Sequence, residues 1–287
     1  MAEIAAVRPA STILLLRDGA AVVDGKSRDE IEVFMMVRHH QIEFNSGALV
    51  FPGGSVDAGD KEIVARSDLY SGGEGLSESD RGFRIAAIRE TFEESGILLA
   101  RPKGSSAPID ARRAGELADA HRVALNEHKV SFLSILADNG LQLALDTLVP
   151  YAHWITPEGM PKRFDTWFFL AAAPPDQLGA HDGRESTDSI WVSPREAVEG
   201  GKSGRFILPF PTTRNLIRLA KQPNVTAALD DARGMSIVTV MPVMTKTATG
   251  RQLRIPREAG YDGEVFEVGL PASTVRPTAK DRDLRPR

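Results

Sequence analysis

Glu90, Glu93 and Glu94 stand at i, i+3 and i+4 in a stretch bounded by helix start and stop signals, and this constrains the chain more than any other feature. Ser77-Glu78-Ser79-Asp80 has the form of a capping box. The pattern predicts a helix from about Asp80 to Ser95, with Gly96 where a C-terminal cap glycine belongs. On that helix the three carboxylates share one face, and Arg89 lies four residues before Glu93, close enough to orient it by an ion pair. Ile85, Ile88 and Phe92 form an apolar stripe that packs the helix onto a sheet. Like charges this close repel by about 0.2–0.5 kcal/mol per exposed pair. A hard divalent cation reverses that penalty, because Mg²⁺ takes oxygen ligands and is held by carboxylates together with substrate phosphate. The competing explanation is an ordinary solvated acidic helix face.

Upstream, Phe51-Pro52-Gly53-Gly54-Ser55-Val56-Asp57-Ala58-Gly59-Asp60 is a glycine-rich loop that follows the short apolar run Ala48–Phe51. Glycines at 53 and 54 can expose main-chain carbonyls to a metal and let a phosphate approach closely. A plain turn is the alternative.

Composition narrows the partners. The 287 residues carry 35 Lys+Arg against 39 Asp+Glu, a net charge of −4. No basic excess marks a nucleic-acid footprint, so no nucleic acid is expected as a partner. A small phosphorylated molecule needs only a few placed cations. Cysteine is absent, which excludes disulfides, thiolate metal sites and thiol nucleophiles. No run approaches the ~20 apolar residues of a membrane helix, so no membrane partner is expected. Met1–Pro9 lacks the pattern of a signal peptide, and Leu284–Arg287 is not a peroxisomal Ser-Lys-Leu address. The cytoplasm is the expected compartment, with a homodimer as the assembly to test.

Along the chain, Ser11–Leu16, Val33–Val37, Leu148–Ile155, Asp165–Ala173 and Ser189–Val192 read as strands. Asp18–Glu30 reads as a polar hairpin loop, 61–82 as mostly loop, and Pro157–Arg163 as a turn. Ile109–Asn139 predicts two helices broken near His128–Ser131. A further helix starts at Ser193-Pro194, another spans Pro209–Lys221, and late strands fall at Ile237–Val243 and Glu264–Val268. The last fifteen or so residues are polar and read as disordered. Strands and helices alternate irregularly, which is a mixed α/β chain.

The loop and the helix together resemble the Nudix superfamily signature, Gly-x5-Glu-x7-Arg-Glu-U-x-Glu-Glu-x-Gly-U, with U a bulky aliphatic residue. Gly54 fits the first glycine, and Arg89, Glu90, Glu93, Glu94, Gly96 and Ile97 fit the second half. Asp60 replaces the first acidic residue, and Thr91 replaces an aliphatic one. Residues 61–88 separate Asp60 from Arg89 where the pattern has seven residues. A contiguous alignment starting at Gly75 would put Arg81 at the acidic position, and Gly75 follows no strand. The enlarged box is similar to that of the long-insert branch, which includes the peroxisomal coenzyme A diphosphatases of animals. The similarity takes in Trp154-Ile155-Thr156-Pro157, Pro161–Thr166, Phe168–Leu170, Asp182–Glu185 and Pro194–Ala197, and covers about residues 10–220.

The resemblance implies an α/β/α sandwich with a mixed sheet and extra helices inserted, with residues 61–82 as an insert within the box and 109–139 as a helical insert. Residues 221–287 would form an extension. It implies hydrolysis of a diphosphate linkage with Mg²⁺ or Mn²⁺. Glu90, Glu93 and Glu94 would be metal ligands, with a main-chain carbonyl of Gly53 or Gly54, and Arg89 would orient Glu93. Glu185 is the candidate general base. Arg38, Lys162 and Arg163 are the candidate cations for substrate phosphates, with ordinary surface cations as the alternative. The six histidines are read as non-ligands, and Trp154 and Phe168 as core. Coenzyme A or acyl-coenzyme A is the first substrate class. ADP-ribose, NADH and dinucleoside polyphosphates would use the same chemistry, and a nucleotide-sensing module without turnover is the non-enzymatic alternative.

Overall fold

The computed structural model describes residues 5–23, 26–38, 47–177, 186–248 and 250–269. The run Ile13-Leu14-Leu15-Leu16 is apolar without alternation, and all four side chains are buried. That is the mark of a strand covered on both faces. It lies in β1 (Val7–Val23), which pairs antiparallel with β2 (Lys26–Arg38). The expected hairpin loop at Asp18–Glu30 is a correction. The ladder continues from Leu16↔Val33 to Val23↔Lys26, so polar residues there extend the strands instead of ending them.

β3 (Leu49–Val50) adds to β2, and β4 (Gly53–Ser55) pairs antiparallel with Ala10–Thr12 of β1. The stretch expected to be mostly loop is also corrected, because it carries regular structure. Helix α1 (Ala58–Val64) starts on a full capping box. The Asp57 side chain accepts from the Asp60 N–H, and the Asp60 side chain accepts from the Asp57 N–H, at 3.0 and 2.9 Å. A 3₁₀ turn at Ser67–Leu69 and β5 (Tyr70–Ser71) follow.

Helix α2 (Glu78–Ser95) has Ser77 as its N-cap and Gly96 as its C-cap, the latter left-handed at φ 77°. The Ser77 hydroxyl donates to the Asp80 carboxylate, so the reciprocal half of the expected capping box is not made here. β6 (Ala100–Pro102) leads into α3 (Ala111–Asn126) and α4 (Phe132–Asp138). These are the two helices expected in 109–139, separated where His128 takes a positive φ of 55°. β7 (Leu141–Ala144) joins β5 and β6 in a small sheet.

The large sheet is completed by β8 (Val149–Ile155), β9 (Arg163–Ala172) and β10 (Ser186–Val192). Helices α5 (Pro194–Lys202), α6 (Phe210–Leu219) and α7 (Val225–Gly234) follow, and then β11 (Thr239–Val240). Its order is β10-β2-β1-β9-β8-β11, with β1 parallel to β9 and β8 parallel to β11. β12 (Val243–Lys246), β13 (Gly250–Arg254) and β14 (Val265–Gly269) form a separate antiparallel sheet. Helix α7 and strands β7 and β13 are additional to the elements expected from the sequence.

The two faces of the large sheet carry separate cores. On one, Ile13, Leu15, Phe34 and Met36 meet Ile85, Ile88 and Phe92 of α2 and Leu117 and Phe132 of α3 and α4. On the other, Leu14, Leu16, Val33 and Met35 meet Leu216 and Leu219 of α6 and Val225, Ala228 and Ala232 of α7. The expected mixed-sheet sandwich of helix, sheet and helix layers is therefore present. Trp154 and Phe168 are buried in the second core, as expected of core residues.

Because β1 feeds both cores, Leu14→Ala should lower unfolding free energy by about 2–5 kcal/mol, read from urea denaturation. Asp57→Ala, which removes the α1 cap and a 3.8 Å ion pair with Arg89, should cost about 0.5–2 kcal/mol. A larger loss for Asp57→Ala than for Leu14→Ala would contradict this picture.

Candidate active site

The site grows from where α2 crosses the sheet. The apolar stripe holds the helix down, and β4 runs close beside its glutamates. A Cβ on Gly53 would stand 2.3 Å from the Ser11 carbonyl oxygen, and one on Gly54 would stand 2.4 Å from Glu90 Oε1. Gly53 requires glycine because the clash is with backbone, and a side chain at Gly54 would push the Glu90 carboxylate aside. The Gly53 N–H donates to Glu94 Oε2 at 2.8 Å, tying strand to helix.

Arg89 organises the rest. Its Nε and Nη2 bond the two oxygens of Asp60 at 2.8 and 3.0 Å, a bidentate pair. Its Nη1 reaches Glu90 Oε1 at 3.0 Å and Glu93 Oε2 at 3.1 Å, and Nη2 also donates to the Ser55 carbonyl at 2.9 Å. Asp60 is fully buried, and the Glu90 and Glu93 side chains are 14% and 19% exposed. Burial alone would lower the Arg89 pKa. The Asp60 hydrogen bonds and the charges of Glu90, Asp60 and Glu93 outweigh it and raise the guanidinium well above its ordinary value. Burial pushes the Glu93 carboxyl up, Arg89 pulls it back, and Asp60 and Asp57 add repulsion, for a net rise.

The structure thus brings together Arg89, Glu90, Glu93, Glu94, Gly53 and Gly54. Asp60 was noted in the sequence only as a shorter carboxylate at the first acidic position, and its pairing with Arg89 was not foreseen. Its signal was the Asp57-x-x-Asp60 spacing two residues after Pro52-Gly53-Gly54. Arg122 and Asn126 of α3 were also missed. Their side chains donate to the Glu93 carbonyl at 3.1 and 3.4 Å and so tie α3 to the C-terminal turn of α2.

The candidate phosphate cations are placed differently. Arg163 is buried, and its Nε donates to the Thr156 carbonyl at 3.1 Å. It pairs in register with Val7, five residues along β1 from the Thr12 that pairs with Gly53, or about 17 Å at strand rise. Arg163 thus lies along β1 from Gly53, not opposite it. Lys162 is exposed in the turn before β9. Arg38 closes β2, where its Cα pairs with that of Ser186. Glu185 lies outside the described residues.

Carboxylates on adjoining turns of one helix, with a side-chain-free strand pressed against Glu90, fit a hard divalent cation by charge and by donor chemistry. In this conformation Arg89 and the Gly53 N–H engage the carboxylates. Among the described residues no group of three or more His, Asp or Glu side chains is gathered as a metal-holding cluster.

Fold and box together define a Nudix domain, and comparison with known proteins agrees. The family model of the NUDT19 Nudix domain matches residues 70–219, a little over half of the chain, and the chain belongs to that family. It is 30% identical over 233 residues to the acyl-coenzyme A diphosphatase NUDT19 of Gallus gallus, covering 66% of this chain and 61% of that protein. The Xenopus laevis protein of the same name is 27% identical, with 66% and 60% covered, and the Homo sapiens one 27%, with 76% and 69%. The chain thus spans about three fifths of the length of the frog and chicken relatives. Among solved structures, a Nudix hydrolase from Alicyclobacillus acidocaldarius superposes with a TM-score of 0.61 at 27% identity, covering 78% of this chain and 96% of that one.

Removing Arg89 leaves Asp60 buried with no cation. Arg89→Ala should therefore destabilise the fold by about 3–5 kcal/mol in chemical denaturation. A loss below 1 kcal/mol, the scale of an exposed pair, would show that the pair does not hold the box.

Proposed function

We propose that this chain is a metal-dependent hydrolase that cleaves the diphosphate linkage of a nucleoside diphosphate derivative, with coenzyme A and its acyl thioesters as the substrate class. The observation that carries the reading is the Arg89 hub, which holds Glu90 and Glu93 beside the glycine strand that Glu94 bonds. The substrate class rests on the similarity to proteins named acyl-coenzyme A diphosphatase.

Glu90, Glu93 and Glu94, with a carbonyl of Gly53 or Gly54, are the proposed ligands for Mg²⁺ or Mn²⁺. Such an ion, when bound, supplies charge neutralisation on phosphoryl oxygens and acidifies water. Arg89 and Asp60 fix where the carboxylates stand, so their alignment is set before substrate arrives. Gly53 and Gly54, lacking side chains, let the strand lie directly against Ser11 and the Glu90 carboxylate. Water attacks one phosphorus, the bridging P–O bond breaks towards the other phosphate, and the water proton passes to a carboxylate. Glu93 and Glu185 are the proposed acceptors, and carboxylates grouped this way titrate together. Arg38 and Lys162 are the proposed cations for the substrate's phosphates.

The test is turnover of a panel of diphosphates with millimolar Mg²⁺ or Mn²⁺, with products identified by mass. Cleavage of coenzyme A to phosphopantetheine and adenosine 3′,5′-bisphosphate is expected. Glu94→Gln should lower kcat by at least about a hundredfold while leaving the circular dichroism spectrum unchanged. Near-normal turnover by Glu94→Gln would remove Glu94 from the ligand set. Cleavage of ADP-ribose, NADH or dinucleoside polyphosphates alone would keep the chemistry and change the substrate. Nucleotide binding without turnover would mark a sensor.

A further inference from the structure

Beyond the glutamate face, the described residues line a half-open pocket of about 490 Å³. It lies between the N-terminal half of α2, the β8–β9 pair and the segment joining α7 to β11. The volume is in the range of small-molecule sites. Leu76, Leu148, Trp167, Phe169, Met235 and Ile237 make its wall largely apolar and partly aromatic.

Into this wall is set Arg84, which is 8% exposed. Its Nη1 donates to the Asp80 carbonyl at 3.3 Å, and the guanidinium carbon sits 5.0 Å from the centroid of the Phe169 ring. Among the described residues no carboxylate stands within ion-pair distance of it. The other charged residues of the lining are engaged. Arg101 grips Asp146 with both Nη atoms at 2.7 and 2.8 Å, Arg233 bonds Asp230 at 2.7 Å, and Asp80 accepts the Ser77 hydroxyl at 2.7 Å. Burial lowers the Arg84 pKa, with Asp80 opposing. A guanidinium has five N–H donors, and burying one without an anion is costly. Arg84 precedes Glu90 by six residues, about 9 Å along the helix. An anion on Arg84 is therefore distinct from a linkage held at the box.

We propose that this cavity takes the phosphorylated nucleoside end of the substrate, with Arg84 binding a phosphate monoester outside the cleaved linkage. The apolar and aromatic wall suits a flat heterocycle, and the guanidinium fork suits a terminal phosphate. The identity of the substrate rests on the diphosphatase reading, while the anion chemistry of the cavity does not.

Metal-free calorimetric titration of the full chain tests this with adenosine 3′,5′-bisphosphate, adenosine 5′-monophosphate and inorganic phosphate. The bisphosphate should bind on the order of tenfold more tightly than the monophosphate, and Arg84→Gln should abolish that difference. Ile237→Trp, which fills the cavity from its rim and leaves Arg84 in place, should weaken both nucleotides. Equal affinity for the two nucleotides in the wild type would overturn the proposal, and so would unchanged bisphosphate binding in both variants. Inorganic phosphate binding as tightly as the bisphosphate would also overturn it, because the nucleoside would then contribute nothing. If coenzyme A is not cleaved and the Arg84-dependent preference is present, the diphosphatase reading fails and the cavity assignment stands.

Discussion

A single buried guanidinium holds the functional half of this molecule together. Arg89 bonds Asp60 from the start of α1, Glu90 and Glu93 from its own helix, and the Ser55 carbonyl from β4. The β4–α1 stretch and α2, which lie 29 to 34 residues apart at these contacts, thereby meet at one cation. Buried carboxylates so close together would repel each other and lose their hydration, and Arg89 offsets both costs with geometry that suits a planar fork. The arrangement also orders the glutamates before any ligand arrives, which is the condition for electrostatic catalysis.

That cation is placed by the sheet beneath it. β1 is buried on both faces, and the two cores it feeds press α2 against one side and α6 and α7 against the other. β4 is short, pairs with β1, and is made of residues that let it lie against Glu90 and Glu94. The long stretch inside the box does not loosen the site. It continues α1, whose first turn holds Asp60, the deepest partner of Arg89, and then folds into a 3₁₀ turn and a strand. The α3 helix performs a comparable service from the other end, through Arg122 and Asn126 on the Glu93 carbonyl.

Local patterns in the sequence determined α2 nearly to its ends, because Ser77, the apolar stripe and Gly96 act within one helix. They also determined which carboxylates share a face, the glycines of the loop, the two inserted helices and the mixed α/β class, while the layered sandwich was implied by the family resemblance. Tertiary structure decided what short-range patterns do not encode. The polar continuation of β1 and β2 depends on each strand finding the other, and a segment rich in Gly and Ser gained a helix from a cap made by two aspartates. Arg163 and Arg84 are both arginines near polar residues in the sequence. Register placed one about 17 Å along the strand from the level of Gly53, bonded to a carbonyl, and packing set the other in a pocket wall without a carboxylate partner among the described residues. A helix repeats every 3.6 residues and declares its faces locally, whereas burial and pairing across the fold depend on which distant segments arrive beside them.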